Sequence, residues 1–261
     1  MKTIILSFDD ARRDFYTRAL PIIKKYNLTA TLNVISDFIL NPSNYCCFSS
    51  GNNEAITSEE LKLCQDMGIE IACHGHSHLN TNSDILQNIT ILKTMGLTFE
   101  KGIGFASPNS ELTDDNKCEN GVWELVTKGI LSYCRSGIQI RREGLLYTFI
   151  TLLDYLVHSP RLWYWLNSRN VIDKRMNVLP SATIHSYTTL QQIQYTINRM
   201  PDNTALILMF HSICTPNDIG FSKDKWYWSS IRFEKLCQWL AQSENISCVT
   251  TIEYVNKPYN Y

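Results

Sequence analysis

The sequence has almost no excess of charge and no long apolar run. Its 24 Lys and Arg residues nearly balance its 25 Asp and Glu residues, which gives a formal net charge of -1. Electrostatic binding to nucleic acid or to an anionic membrane needs a basic excess, so no nucleic-acid partner is predicted. No uninterrupted apolar segment is long enough to cross a bilayer, so no transmembrane segment is predicted. The length of 261 residues fits one large α/β domain or two small ones.

The sequence also lacks a Cys-x-x-Cys pair and a recognisable export signal. Its nine cysteines are an odd number at irregular spacing. This pattern is typical of free thiols in a reducing compartment rather than of a disulfide framework. The apolar run Ile4–Leu6 is too short for a signal peptide and leads directly into Asp9 and Asp10. We therefore expect a cytoplasmic protein.

Short apolar segments alternate with segments of helical periodicity along most of the chain, which predicts strands and helices in turn. The predicted strands are 3–8, 29–35, 69–73, 102–106, one beginning at Tyr133, 204–210 and 247–251; the predicted helices are 14–26, 58–67 with Ser58 as N-cap, 83–95, 122–128, 190–200 and 231–242. This alternation is typical of an α/β barrel or a doubly wound sheet. Residues 138–183 break the pattern with aromatic residues and leucines. We interpret them as an elaboration of a single domain that spans residues 1–261.

Reactive side chains follow two of the predicted strands. Asp9 and Asp10 end the first strand, and His74, His76 and His78 follow the third at alternate positions. In an extended segment, side chains two residues apart face the same side, and imidazole is the commonest metal ligand. Taken singly, the Asp pair fits a helix cap and the histidines fit a solvated loop. Because parallel α/β folds build active sites at the carboxyl ends of strands, their joint occurrence predicts a mononuclear catalytic metal site.

Several segments resemble the motifs of one known family. They are Ser7-Phe-Asp-Asp-Ala-Arg-Arg-Asp14, Thr29-Ala-Thr-Leu32, His74-Gly-His-Ser-His78, Leu208-Met-Phe-His211 and Val249-Thr-Thr-Ile-Glu253. Together they resemble the polysaccharide deacetylases, the family-four carbohydrate esterases, over most of the chain outside residues 138–183. The resemblance implies an α/β fold, a distorted (β/α)7-type barrel in a single domain.

The resemblance also implies a role for each reactive residue. One divalent metal ion, usually Zn2+ with Co2+ or Ni2+ as alternatives, would be held by Asp10, His74 and His78. Two histidines and one carboxylate leave an open position, as a catalytic zinc site requires. Asp9 would be the general base that activates water, and His211 would protonate the leaving amine.

The chain departs from the family pattern at one position. The family usually carries an arginine before a proline in its third motif, and that arginine orients the general base, whereas this chain has Ala106 there. Arg13 and Arg135 are the candidates to orient Asp9 instead. Pro108 and Asn109, in the same motif, are candidate substrate-binding residues.

Two aromatic clusters have alternative interpretations. Trp163-Tyr-Trp165 and Trp226-Tyr-Trp228 could stack on sugar rings, although packing in the core is the commoner role of such residues. The apolar run 145–165 could lie on a membrane surface, but it lacks the rich basic face typical of such segments, so peripheral membrane contact is only weakly indicated.

The sequence therefore predicts a metal-dependent hydrolase that removes an N-acetyl group from an amino sugar or glycan precursor. A cytoplasmic location favours a nucleotide-linked, lipid-linked or soluble precursor over finished cell wall. The alternatives are an amidase that cleaves a non-sugar C–N bond and a degenerate carbohydrate-binding relative. Acetate release from chitin oligomers would distinguish the sugar deacetylase from the amidase. Retained metal without turnover would indicate the carbohydrate-binding relative. The sequence does not indicate an oligomeric state.

Overall fold

A parallel sheet forms the centre of the molecule. The computed structural model describes residues 1–45, 54–110, 122–136, 145–173, 178–217 and 225–257. The strands are β1 (Lys2–Phe8), β2 (Thr31–Val34), β3 (Glu70–Cys73), β4 (Gly104–Ala106), β5 (Tyr133–Arg135), β6 (Val178–Leu179), β7 (Ala182–Thr183), β8 (Ala205–Phe210), β9 (Ser212–Cys214), β10 (Tyr227–Ser229) and β11 (Ile246–Cys248).

The strand order agrees with the predicted fold class. Neighbours in the main sheet run β6-β5-β4-β3-β2-β1-β8-β7, and β11 pairs with the start of β1. Every pairing in this sheet is parallel. The sheet curls into the distorted (β/α)7-type barrel, which confirms the predicted fold class. β9 and β10 form a separate two-stranded parallel ribbon.

Helices connect the strands and cover the sheet. They are α1 (Leu20–Lys25), α2 (Ser36–Leu40), α3 (Ser58–Asp66), α4 (Asn82–Thr94), α5 (Val122–Thr127), α6 (Leu145–Val157), α7 (Pro160–Asn167), α8 (Leu190–Arg199), α9 (Ser230–Gln242) and α10 (Thr251–Asn256). The predicted helix 14–26 is divided at Leu20, with a π-helical segment Phe15–Ala19 before α1. None of the helices in the described part of the chain combines the length and apolarity needed to span a bilayer.

The start of α3 and the end of the last strand differ from the prediction because of capping boxes. The N-cap of α3 is Thr57 rather than Ser58, since its side chain and that of Glu60 satisfy each other's backbone N–H groups. Thr250 and Glu253 make the same exchange at the start of α10. The last strand therefore ends at Cys248 instead of continuing to residue 251.

The stretch 138–183 contains more regular structure than its pattern indicates. It contains α6, α7 and the two-residue strands β6 and β7, while 138–144 and 174–177 lie outside the described residues. α6 has one charged residue among its thirteen, so few polar positions mark a solvent face, and a two-residue strand is too short to show alternation. The single-domain boundary 1–261 stays a prediction.

Parallel strands bring their carboxyl ends to the same edge of the sheet. β1 lies between β8 and β2, and β3, β4 and β5 follow β2 in that order. The segments that begin at Asp9, His74, Ser107, Ser136 and His211 therefore all start from one edge.

Candidate active site

Asp9 and Asp10 are buried at the end of β1. Only 3% of Asp9 and 2% of Asp10 is exposed. Asp10 and Ala11 have φ angles of 76° and 58°, in the left-handed region that non-glycine residues seldom adopt. Such backbone strain is concentrated at functional sites, and here it turns the chain sharply after the sheet.

Asp10, His74 and His78 form a cluster whose potential ligand atoms all lie within 4.8 Å of one another. Asp10 Oδ1 and His74 Nε2 are 3.6 Å apart, and the two imidazole ring centroids are 4.9 Å apart. The structure thus brings together the three residues predicted to hold a metal.

The hydrogen bonds around this cluster leave the donor atoms free for a cation. His74 Nδ1 lies 2.8 Å from the carbonyl oxygen of Ala106, so Nδ1 donates this hydrogen bond and Nε2 is the ring atom that faces Asp10. Arg12 donates to Asp10 Oδ2 from Nε at 3.0 Å and from a terminal nitrogen at 2.9 Å. The other oxygen, Oδ1, faces the histidine.

The charge states at the cluster also suit metal binding. Burial and the neighbouring His74 lower the pKa of His78 to about 4, so this imidazole is neutral at pH 7, as a ligand must be. Burial opposes ionisation of Asp10, but Arg12 and His74 outweigh it and lower the pKa of Asp10. Burial opposes protonation of His74, but the charges of Asp9 and Asp10 outweigh it and raise the pKa of this imidazole, so metal binding would release a proton from it. Two imidazole nitrogens and one carboxylate oxygen match the mixed donor set of a catalytic zinc site.

The loop that carries the histidines is fixed by α4. Asp84 accepts hydrogen bonds from the backbone N–H groups of Ser77 at 2.9 Å and Leu79 at 3.2 Å. The buried amide of Asn88 donates to the carbonyl oxygens of Gly75 at 2.6 Å and Val34 at 2.9 Å. The loop is therefore held in position by side chains of a helix rather than by its own contacts.

His76 points away from the cluster. Its Nδ1 lies 2.9 Å from the hydroxyl of Ser36, and it is not one of the three clustered residues. The strict alternation expected for an extended segment fails because Gly75 has a φ of 81° and His78 a φ of 61°. This backbone turns one histidine outward and leaves two facing Asp10.

Asp9 is held by two side chains from neighbouring strands. Arg135 donates to Asp9 Oδ1 at 2.6 Å and to Oδ2 at 2.7 Å, and the amide of Asn33 donates to Oδ1 at 2.8 Å. Burial raises the pKa of Asp9, but the charges of Arg135 and His74 outweigh it and lower the pKa overall. Asp9 is therefore an ionised carboxylate in a fixed orientation.

Only one of the two arginine candidates contacts Asp9. Arg13 lies on the surface, where it pairs with Glu54 at 3.1 Å and Glu60 at 3.0 Å. Arg135 is buried and is the register partner of Ala106 on the adjacent strand. The guanidinium of Arg135 on β5 thus contacts Asp9, and the paired position on β4 is Ala106.

His211 lies at the end of β8, beside the same group of side chains. Its ring centroid is 4.7 Å from that of Trp226. Its buried Nδ1 has no hydrogen-bond partner among the residues that the structure describes. Burial lowers the pKa of His211, although the charges of Asp10 and Asp9 act in the opposite direction.

Pro108 and Asn109 follow β4 next to the histidine loop. Asn80 donates to the carbonyl oxygen of Pro108 at 3.1 Å and accepts from the hydroxyl of Ser107 at 2.9 Å. Pro108 is buried, whereas Asn109 is exposed with a φ of 55°. Substrate binding by this pair stays a prediction.

The two tryptophan pairs divide between core and surface. Trp163 and Trp228 are buried, and Trp228 donates from Nε1 to the carbonyl oxygen of Thr188 at 2.8 Å. Trp165 is exposed, and Trp226 is half-buried beside His211. Only Trp226 is therefore placed to contact a molecule bound at the site.

Sequence analysis missed Arg12 and Asn33. Nothing in the run Arg12-Arg13 indicates which arginine is buried, and the structure buries Arg12 between Asp10 and the hydroxyl of Ser212, 3.0 Å away. Asn33 did carry a signal, because a polar side chain in the middle of an apolar strand is buried and needs a hydrogen-bond partner.

Comparisons with known proteins agree with this geometry. Residues 1–115 match the family model "Polysaccharide deacetylase". The chain is 32% identical over 81 residues to the Bacillus subtilis (strain 168) protein named "Putative polysaccharide deacetylase YxkH", a match that covers 31% of this chain and 25% of that protein. The chain therefore spans about a quarter of the length of this curated relative.

One solved structure extends the likeness in fold to nearly the whole chain. A family 4 acetyl xylan esterase from Clostridium thermocellum, in complex with a cobalt ion, superposes with a TM-score of 0.52 at 15% identity and covers 96% of this chain and 89% of its own. The peptidoglycan deacetylase PdaC from Bacillus subtilis has a TM-score of 0.49 at 15% identity, over 97% of this chain and 91% of its own. The chain thus resembles the polysaccharide deacetylases in sequence over residues 1–115 and shares the fold of a family 4 esterase over almost its whole length.

Proposed function

We propose that this chain is a metal-dependent deacetylase that removes an N-acetyl group from an amino sugar or glycan precursor. The observation that carries the proposal is an ionised Asp9, held by Arg135, directly beside the cluster of Asp10, His74 and His78. The family match over residues 1–115 supports the same reaction class. Zinc as the native metal and a cytoplasmic location stay predictions.

The metal would be held by Asp10, His74 and His78. When bound, a divalent ion supplies Lewis-acid chemistry, which polarises an amide carbonyl and makes water more acidic. The fixed protonation of His74 at Nδ1 and the double hydrogen bond from Arg12 to Asp10 keep the donor atoms aimed at one point. Such supporting contacts are typical of metal sites in proteins.

Asp9 and His211 would move the protons. Asp9 accepts a proton from the attacking water, and Arg135 and Asn33 prevent the carboxylate from turning away. The oxygen of that water forms a bond to the acetyl carbon, the C–N bond breaks, and the acetyl group leaves as acetate. His211, protonated from solvent before the step, gives its proton to the leaving nitrogen, and the proton on Asp9 returns to solvent after acetate has left. Because burial lowers the pKa of His211, the protonated imidazole gives up its proton readily.

Acetate release from N-acetylglucosamine oligomers, measured together with metal content, tests the proposal. We expect near-stoichiometric metal and acetate release from the wild type, and neither from His74→Ala. His76→Ala is the matched control, because this neighbouring histidine bonds Ser36 outside the cluster, and it should retain both. Bound metal without acetate release would direct the search to other amides or to a carbohydrate-binding role. A wild type that binds no metal after reconstitution would overturn the mechanism.

A further inference from the structure

Within the part of the chain that the structure describes, helix α6 presents an exposed apolar face. The large side chains that are more than half exposed are Leu145, Leu146, Phe149, Leu152, Tyr155, Leu156 and Val157. Leu145 at the start of the helix is 92% exposed. A continuous apolar surface of this kind on a folded protein marks an interaction site.

The polarity of α6 is the reverse of that of an ordinary surface helix. Its only charged residue, Asp154, is buried and accepts two hydrogen bonds from the amide of Gln192 on α8, at 3.0 and 3.2 Å. The inner face of α6 also packs against α7. A surface helix normally buries its apolar side and exposes its charges, so the exposed side of α6 suits an apolar environment.

We propose that α6 docks on a lipid bilayer with anionic headgroups and lies in the plane of the interface. At about 1.5 Å per residue, its 13 residues are too short to cross the hydrocarbon core. The docking face is a single projecting helix, which a bilayer accommodates without a complementary groove. Tyr155 and Trp165, both exposed, have the apolar ring and polar edge that favour the headgroup region.

The charges that flank the helix complement anionic lipid. Residues 141–175 contain six Lys or Arg residues and three Asp or Glu residues, in a chain whose net charge is -1. Of those that the structure describes, Asp154 is buried, and Arg161, Arg169 and Asp173 are exposed; the other four basic residues lie outside the described part of the chain. Basic residues beside a membrane-bound helix strengthen its attraction to anionic headgroups.

A series of aromatic rings connects α6 to the active site. Successive ring centroids lie 4.9 Å apart for Tyr155 and Tyr187, 5.0 Å for Tyr187 and His185, 5.2 Å for His185 and Trp226, and 4.7 Å for Trp226 and His211. The three middle rings are half-buried. Docking through α6 would therefore place a lipid headgroup at one end of a line of rings that leads to His211.

This arrangement specifies the substrate class of the proposed deacetylase as an amino sugar linked to a lipid. The docking itself does not depend on the proposed function, but this assignment does. Sugar rings that extend from the bilayer surface would pass along Tyr187, His185 and Trp226 to reach the reacting atoms. The two inferences can fail separately, so they are tested separately.

Flotation with lipid vesicles tests the docking. The wild type should float with vesicles that mix phosphatidylcholine and phosphatidylglycerol, less well with phosphatidylcholine alone, and less well as salt is added. The double variant Phe149→Glu with Leu152→Glu changes only exposed positions of α6 and should lower vesicle binding about tenfold or more. The matched control, Leu63→Glu with Leu86→Glu, changes two exposed leucines of α3 and α4 and should float like the wild type.

Each other outcome has a defined meaning. A wild type that floats with neither kind of vesicle, or a double variant that floats equally well, would overturn the docking proposal. A wild-type dimer in light scattering that the double variant converts to a monomer would assign the face to a second copy of the chain.

Activity assays then separate the substrate class from the proposed function. The double variant should retain acetate release from soluble N-acetylglucosamine oligomers and lose it from a lipid-linked N-acetylglucosamine in vesicles. Equal loss or equal retention on both substrates would overturn the lipid-linked substrate. Flotation by a wild type that deacetylates neither substrate would leave the docking standing and reject the proposed function.

Discussion

Adjacent aspartates at the end of β1 have different partners and hence different chemistry. Asp10 shares its oxygens between Arg12 and the histidines, whereas both oxygens of Asp9 are bound by Arg135. Buried carboxylates are stable only when they are paired and hydrogen-bonded. The division of roles between the two residues therefore depends on which arginine each one meets.

Replacing Arg135 with Gln should leave Asp9 charged, buried and unpaired. We expect kcat/KM to fall by about 10- to 100-fold, as for other residues that orient a catalytic group. The pKa of Asp9 should rise, which moves the acidic limb of the pH–rate profile to higher pH. Arg135→Lys should restore part of the rate, because a cation returns without the second hydrogen bond. The measurement is the pH dependence of acetate release.

The control for this experiment is Arg13→Gln. Arg13 lies on the surface with Glu54 and Glu60, so both the rate and the profile should be unchanged. An Arg135→Gln enzyme with the wild-type acidic limb would show that this arginine does not act on Asp9.

Asp14 should make the protein less stable as the pH rises. Burial raises its pKa to about 7, above the unfolded value of about 3.9. The folded state therefore holds the proton more tightly, and stability falls between about pH 4 and pH 7 and stays low above that range. A shift of about three pKa units corresponds to at most about 4 kcal/mol.

The variant Asp14→Asn removes this titration. The measurement is urea unfolding with chelator present. The free energy of unfolding of Asp14→Asn should increase relative to that of the wild type as the pH is raised from 4 to 8. A stability difference between the two proteins that is the same at both pH values would contradict the raised pKa.

At the scale of elements, the histidine loop depends on Gly75. This glycine has a φ of 81°, and a Cβ there would lie 2.6 Å from Asp84 Oδ2 and 2.9 Å from the carbonyl oxygen of Leu79. Asp84 would have to move, although its carboxylate fixes the backbone of Ser77 and Leu79. Backbone conformation and close contact both require glycine at this position.

Comparing Gly75→Ala with Gly96→Ala isolates the contact. Gly96 has a φ of 82° with nothing near its missing Cβ, so its replacement should cost about 1–2 kcal/mol from backbone strain alone and leave metal affinity unchanged. Gly75→Ala should cost more and lower zinc affinity about tenfold or more. Urea unfolding and zinc titration measure the two effects, and equal results for both variants would show that the loop tolerates the clash.

Strands and helices with a clear period could be predicted from the sequence. The buried β8 is a continuous apolar run, β1 is buried except at Thr3 and is mostly apolar, and α9 differs from its prediction by one residue. The prediction failed where local patterns are uninformative. α6 buries its one charged residue and exposes apolar ones, the reverse of the usual pattern, and β6 and β7 are too short to alternate.

The candidate site could be predicted only in part. Asp9 and Asp10 are adjacent in sequence, and the histidines form a second group at alternate positions. Each group follows a strong strand signal, so the topology of parallel strands predicted that the two groups would meet. Arg135 contacts a residue 126 positions away. Such a pairing depends on the order of the strands in the sheet, and local periodicity carries no information about that order. Arg13 and Arg135 were therefore equally suitable candidates to orient Asp9.

At the scale of the whole molecule, the candidate metal site connects two strands that are not neighbours. Asp10 follows β1 and the histidines follow β3, with β2 between them in the sheet. A ligand that binds only the folded state stabilises it by mass action. Zinc at 100 times its dissociation constant should therefore raise the free energy of unfolding by about 2.7 kcal/mol.

Thermal unfolding in zinc and in chelator checks this expectation. The gain should disappear in His74→Ala and persist in His76→Ala, since only His74 belongs to the cluster. A wild type with equal midpoints in zinc and in chelator would show that the cluster does not bind this metal tightly in the folded state.

The pairing of Ala106 with Arg135 across β4 and β5 has an evolutionary consequence. An arginine on either β4 or β5 could pair with the carboxylate at the end of β1. We expect the space beside that carboxylate to hold one guanidinium group and not two. Among homologous sequences, the two positions should therefore covary, with arginine at one accompanied by a small residue at the other. A motif search that requires arginine at position 106 would pass over such chains, although a guanidinium reaches the carboxylate from the neighbouring strand.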